Sequence, residues 1–258
     1  LLLRSCFEQY AANFKAVVVF AILLVFVIAF SSFENIFVNS GSMLLDYNVS
    51  YISPLILAAE AGLIALFLLL YSFFVSIIVF DVRRNLSKVK LHIYLVEMIR
   101  RFTLRIFIFY ALFYLVSFAV VIGISAWAGA AGFPVSVAIT GAGLLVLAAS
   151  LCFLFVPQAV VIDEEGLRHA LLSNFEFLAS HPRSFVAAAA VGSVLLALLQ
   201  LLEFAIDQVA LLGSFVSLFL ALIFVLPFVE VLKTYLYMMR FDIIKEHEAM
   251  MSKRHRPH

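Results

Sequence analysis

Charge is scarce in this chain. Asp, Glu, Lys and Arg make up 13% of its 258 residues, against 66% hydrophobic, whereas a water-soluble domain is about a quarter charged. That scarcity excludes a soluble globular fold, because roughly half of such a protein's surface must still face water. Cysteine is nearly absent as well. Cys6 and Cys152 are too few for a disulfide framework, and neither stands at metal-ligand spacing from another Cys or His, so both read as small apolar residues. The sequence has no phosphate-binding Gly-x-x-x-x-Gly-Lys loop, no Gly-x-Ser-x-Gly elbow and no His-Glu-x-x-His pair, so no catalytic residue, metal ligand or cofactor is expected. A net charge of +1 offers nucleic acid little, and no aromatic stacking platform accompanies the basic residues. The short alternating segments of an outer-membrane barrel are missing too.

What is present is long apolar runs. A membrane-crossing helix needs about 20 mostly apolar residues, and six runs qualify: Lys15–Phe37, Pro54–Phe80, Leu104–Trp127, Pro134–Ile162, Arg183–Phe204 and Leu212–Met238. They are too long for buried strands. The connections alternate in character. Val38–Ser53, Ala128–Phe133 and Ala205–Leu211 hold no Lys or Arg, and all seventeen basic residues fall on the other side. The positive-inside rule makes that side cytoplasmic, with both termini on it. Glu8, Gln9 and Asn13 interrupt the first apolar stretch too early for a cleavable signal. Asn48-Val49-Ser50 in the first external connection is a glycosylation sequon.

Three cytoplasmic stretches carry apolar residues at helical spacing: Leu2–Phe14, Asn85–Phe102 and Glu164–Ser180. They read as amphipathic helices lying in the membrane interface. In the third, Leu167, Leu171, Phe175 and Leu178 are expected to be buried against lipid or the cytoplasmic ends of the spans. Arg168, His169, Asn174 and Glu176 are placed on the opposite side, with Asp163, Glu164 and Glu165 complementing the helix dipole. The expectation is an all-α, polytopic integral membrane protein of six transmembrane helices and three interfacial helices. It forms one membrane domain, with residues 239–258 as a charged cytoplasmic tail. The order helix, span, span recurs three times at a period of about 80 residues, as in the weak internal symmetry of transporters.

The most patterned stretch runs from Phe155-Val156-Pro157 through the turn Asp163-Glu164-Glu165-Gly166 and the helical Ala170-Leu171-Leu172-Ser173 to Pro182. A second is Pro227-Phe228-Val229-Glu230, ending at Tyr237. Together they resemble the six-span membrane proteins grouped with the glycerophosphodiester phosphodiesterase membrane domain, including archaeal-like members without a catalytic domain. The resemblance covers the C-terminal half in pattern and the N-terminal half only in layout. It implies a fold and a membrane location, and no reaction.

Each ionisable group inside a bilayer is a functional candidate. Glu60 lies two turns into the second span among Ala58, Ala59, Ala61 and Gly62, with no basic residue at helical spacing. With Glu34, Gln200 and Glu203 it forms a candidate polar site toward the outer side, although Glu34 and Glu203, like Asp207, sit at span ends where headgroups or solvent can reach them. Glu230 and Lys233, three residues apart, read as an ion pair on one helix face. Pro157 and Pro227 each remove a backbone donor and free a carbonyl one turn earlier, with Gln158 placed to satisfy one of them. The first functional expectation is a non-enzymatic membrane scaffold or accessory subunit, with lipids and a membrane-protein partner or second copy around it. The alternative is a small-solute, ion or lipid transporter using Glu60 and the proline-kinked helices.

Overall fold

A computed structural model of the chain describes residues 2–12, 14, 22–23, 36–39, 42–45, 54–87, 95–208 and 213–241. The body is helical. Among the described residues, five stretches are long and apolar enough to cross a membrane: Ala61–Leu86, Ile99–Ala130, Val135–Ile162, Pro182–Asp207 and Val216–Met238. The elements are α1 (Leu2–Ala12), β1 (Ile36–Asn39), β2 (Ser42–Leu45), α2 (Pro54–Ser87), α3 (Leu95–Met98), α4 (Leu104–Ala130), α5 (Val135–Cys152), α6 (Val156–Ile162), α7 (Leu167–Ser180), α8 (Pro182–Asp207), α9 (Gly213–Leu220) and α10 (Leu226–Met238). The π-helical turns Ile99–Thr103 and Ala221–Val225 join α3 to α4 and α9 to α10. β1 and β2 form an antiparallel hairpin, with Ile36 opposite Leu45 and Asn39 opposite Ser42.

Several expectations need adjusting. Most of the first expected span, Lys15–Phe37, lies outside the described residues, and its last two positions, Ile36 and Phe37, belong to β1. Of the interfacial helix expected over Asn85–Phe102, residues 88–94 lie outside the described residues. α2 continues through Asn85 to Ser87, and Ile99–Phe102 leads straight into α4. The basic residues explain it: Arg83, Arg84, Arg100, Arg101 and Arg105 carry long stems that keep their charges at the interface, so the helices can run on past the hydrocarbon. The helix expected over Glu164–Ser180 is present as α7, starting at Leu167.

Prolines and small residues set the boundaries. Pro182 opens α8 at a position where its missing N–H is not needed. Gly132, at φ 69°, turns the chain between α4 and α5, a conformation glycine adopts without steric cost. Ala128, Ala138 and Ala142 are buried where α4 and α5 meet, the close approach that small side chains permit between membrane helices. At Gly213 a Cβ would collide with the Glu203 carbonyl and the Asp207 carboxylate. The Gly213 N–H donates to Asp207 Oδ1 at 2.8 Å, holding the start of α9 against the end of α8.

The core is concentrated toward the basic ends of the helices. Phe74, Ile78 and Val82 of α2, Phe102 and Ile106 at the start of the span Ile99–Ala130, nearly all of α6, Phe177 of α7 and Val231 to Met238 of α10 are buried together. The last span is the hub. Half of its most apolar window is buried, against 11% for the spans Ile99–Ala130 and Pro182–Asp207, whose exposed sides are built of Leu, Val and Phe, side chains suited to lipid contact.

α1 packs across α10. Of the residues that set its helical spacing, Tyr10 is buried while Phe7 and Phe14 are half exposed and flank the Tyr10 ring. The Tyr10 hydroxyl donates to the Ile223 carbonyl at 2.9 Å. Ile223 stands four residues before Pro227, so its carbonyl is the one that Pro227 cannot serve. The carbonyl that Pro227 leaves free is thus satisfied from another element. Tyr10→Phe, which keeps the ring packing, is expected to destabilise the protein by about 0.5–1.5 kcal/mol. Thermal unfolding in mild detergent checks it, and an unchanged midpoint would count against the bond.

Candidate functional site

The span Val135–Ile162 is a broken helix. α5 stops at Cys152, three residues turn, and α6 begins at Val156 with Pro157 in its first turn. Such breaks are tolerated at membrane depth only where the freed backbone groups find partners inside the protein. Asn174 of α7 provides two. Its Oδ1 accepts from the Phe155 N–H at 3.0 Å, and its Nδ2 donates to the Cys152 carbonyl at 2.8 Å. Asn174 is fully buried, not solvent-facing as its sequence position suggested. The buried face of α7 is correspondingly rotated. Ala170, Ser173, Asn174 and Phe177 are buried, Leu167, Leu171 and Leu178 are half-buried, and Phe175 is exposed. Phe177 takes the inner place because its ring meets those of Phe155 and Tyr237, each at 4.8 Å. Arg168 and Glu176 are exposed as expected.

Because Asn174 holds the break, Gln158 is released for another task. The expectation that it would satisfy a proline-freed carbonyl is replaced by a bond to a carboxylate: its Nε2 donates to Glu230 Oε2 at 2.9 Å. Glu230 Oε1 accepts from Lys233 Nζ at 2.5 Å, the intrahelical pair read from the sequence. The Tyr71 hydroxyl of α2 approaches the same oxygen at 3.5 Å, and the ring of Tyr110 of α4 packs against that of Tyr71 at 5.4 Å. The pair is not at a solvated helix end. The Glu230 side chain is 3% exposed and that of Lys233 6%. Glu230 lies eight residues short of Met238, about 12 Å along the helix axis. Three spans therefore meet at one carboxylate, with Tyr110 of a fourth packed behind Tyr71. Lys233 also lines a partly open cavity of about 160 Å³ with Ser150, Phe109, Tyr110, Phe113 and Phe153. Beside it, Gln158 Oε1 is buried and has no hydrogen-bond partner among the described residues.

A second polar layer closes the basic end. The turn after α6 carries Asp163, Glu164 and Glu165, and the elements around it grip all three. Arg83 of α2 donates to Glu164 at 2.9 Å and to the Val161 carbonyl at 2.9 Å. Arg105 donates to the Glu165 carbonyl at 2.8 Å, and Ser173 to the Glu165 carboxylate at 3.2 Å. The Tyr237 hydroxyl donates to Asp163 at 2.6 Å, with Arg240 3.8 Å away. Burial raises the Asp163 pKa, and the Tyr237 bond and the Arg240 charge oppose that rise. The acidic turn is thus a clamp between spans, and dipole complementation at α7, the reading from sequence, is not its main contact. Glu164 adopts φ 57°, an uncommon conformation for a non-glycine residue, and its two arginine partners, Arg83 and Arg101, hold it there.

The other site expected from sequence is only partly described. Glu34 and Asn48 lie outside the described residues, as does the Glu60 side chain. Glu60's backbone is helical within α2. Gln200 is exposed. Glu203 is 5% exposed, so the solvated-end reading of this residue is corrected: the close approach of α9 at Gly213 covers it. Cys6 is buried and its thiol is pushed up to about 12 by desolvation, while Cys152 is exposed. No group of three or more His, Cys, Asp or Glu side chains able to hold a metal occurs among the described residues. Sequence reasoning missed Tyr71, Tyr110 and Asn174; the available signal was a polar or hydroxylated side chain inside an otherwise apolar helix. Compared with protein-family models, with curated proteins and with solved structures, the chain matches none of them.

Proposed function

We propose that this protein is a transporter of a small solute, ion or lipid, and that its working element is the buried Glu230–Lys233 pair, in place of the Glu60 site suggested by the sequence. The observation that carries this reading is the pair's position. A carboxylate and an ammonium, each almost fully buried, sit inside a crossing helix and beside a broken one. Ionisable groups at such depth are costly and mark substrate or ion pathways. Discontinuous helices recur at the binding sites of transporters, where they line cavities. A π-helical turn, Ala221–Val225, lies in the same helix just before Pro227; π-bulges are frequent at functional sites. A scaffold or accessory subunit has no need of a buried pair facing a cavity.

The reading includes a sixth crossing over Lys15–Phe37, three helix–span–span units and both termini on the cytoplasmic side of the cell membrane. The one-sided distribution of Lys and Arg supports that orientation. Single cysteines at Ser42, Gly129 and Gln208, in a background lacking Cys6 and Cys152, are expected to react with an impermeant thiol reagent on intact cells. Cysteines at Ser87, Ser173 and Ser252 are expected not to react, and their labelling would overturn the orientation. Transport itself is tested in proteoliposomes with a panel of ions, small organic solutes and labelled lipids. Wild type is expected to give flux for at least one class, and Glu230→Gln to reduce it at least tenfold. Absence of flux across the panel, or flux indifferent to that substitution, would sink the proposal and leave the scaffold reading in its place.

A further inference from the structure

We propose that the cavity beside Lys233 takes a carboxylate carried on an apolar body, and that Glu230 takes up one proton as that carboxylate binds. The inference rests on the buried pair being the working site and goes on to name its ligand class and its coupling.

The walls define the ligand. Phe109, Phe113 and Phe153 make the cavity largely aromatic, and Lys233 brings its one cationic group. Ser150 Oγ already donates to the Leu147 carbonyl at 2.7 Å, so it offers the cavity lone pairs and no free proton. One cation among aromatic walls suits a single negative charge on an apolar body and disfavours a multiply charged, strongly hydrated anion. The volume of about 160 Å³ matches the space known to hold a benzene-sized molecule.

The coupling follows from charge balance. An ammonium held at this burial needs an anionic partner, because an unpaired buried charge is strongly unfavourable. In the resting arrangement Glu230 is that partner. A second anion beside Lys233 would leave the site with one excess negative charge unless Glu230 is neutralised. Adding a proton to Glu230 while the ligand carboxylate takes over Lys233 conserves the site's charge. Bound together, a proton and a monoanion carry no net charge through the low-dielectric interior.

The surroundings of Glu230 accommodate both states. The charged or titratable groups facing it are Lys233 on α10, Tyr71 from α2 and Tyr110 behind it from α4. α6 contributes the neutral Gln158. α1 turns Tyr10 and Cys6 toward α10, and the ionisable groups of α8 (Arg183, Glu203 and Asp207) stand near its two ends. Gln158 is the adaptable member. Its Nε2 donates to the ionised carboxylate, and its Oε1 lacks a partner among the described residues. Turning the amide over presents Oε1 to accept the O–H of the protonated acid, so one side chain serves both protonation states.

The test uses the full chain in lipid nanodiscs. Binding of labelled benzoate is measured between about pH 5.5 and 7.5, where a simple carboxylic acid stays ionised, together with proton uptake in weakly buffered solution. The expected result is about one proton taken up per benzoate bound, and affinity falling about tenfold for each unit rise in pH. Glu230→Gln is expected to bind benzoate without pH dependence and without proton uptake, and Lys233→Gln to lose binding at least tenfold. The wild-type proton count decides the matter even if neither variant folds. Oleate in the nanodisc separates the two sources of the same chemistry: competition at equal or lower concentration assigns the site to a membrane fatty acid, and no competition assigns it to a soluble carboxylate. Binding without proton uptake, or inorganic phosphate binding as well as benzoate, would overturn the proposal. Flux of solutes other than carboxylates with no benzoate binding would refute this inference and leave transport standing. Proton-linked binding without flux would refute transport and leave the site.

Discussion

Replacing Lys233 by Met is expected to destabilise the protein by about 3–5 kcal/mol, among the largest effects of any single substitution here. The Met side chain fills similar space, so packing changes little. What is lost is the cation that neutralises Glu230, whose side chain is only 3% exposed. Gln158 and Tyr71 remain as hydrogen-bond donors, but neither carries a charge. The double substitution Glu230→Gln with Lys233→Met removes both charges and is expected to recover most of the stability, since replacing a buried pair whole is often neutral while breaking it is not. Unfolding of the three proteins in mixed micelles measures this. If the single and double variants lose stability equally, the pair is not coupled and the charge-balance argument for the site fails with it.

Asn174→Leu is the second large effect. Leucine is close in size, so it leaves little cavity, but it strips both bonds from the break between α5 and α6. The Phe155 N–H and the Cys152 carbonyl would be left without their side-chain partner in a buried place. An unsatisfied buried group costs about 1–3 kcal/mol, which puts the expected loss at roughly 2–6 kcal/mol. Amide exchange at Phe155 should accelerate more than exchange in α8, which does not depend on Asn174. Asn174→Asp keeps an acceptor for the Phe155 N–H and loses the donor to Cys152, so an intermediate loss is expected. Uniform acceleration of exchange along the chain would instead indicate that Asn174 serves only general packing.

These two residues mark where the sequence was legible and where it was not. Helices at the second to sixth expected positions follow from hydropathy, because a bilayer demands long apolar runs wherever a chain crosses it. The Glu230–Lys233 pair was readable for a similar reason: three residues along a helix is a local distance, independent of how helices pack. The amphipathic helices at Leu2–Ala12 and Leu167–Ser180 also announce themselves by spacing.

What the sequence could not determine is which polar groups meet. Asn174 and Cys152 are 22 residues apart, Tyr10 and Ile223 are 213 apart, and Tyr71 and Glu230 are 159 apart. Each of these contacts exists only because separate helices dock at one height. Spacing placed Asn174 on the outward side of α7, whereas it is buried and bonded to the break. Apolar periodicity ranks side chains by hydrophobicity, while the packed helix turns toward the unsatisfied backbone at Cys152 and Phe155. In a medium without water, a buried N–H or carbonyl left unpaired costs more than exposing one aromatic ring to lipid. Composition therefore determined that this chain lives in a membrane and where its described helices cross it. Only tertiary docking decided that a carboxylate, an ammonium, an amide and two tyrosines converge in one crossing layer, because hydrogen-bond satisfaction inside the bilayer is a property of the assembled helices.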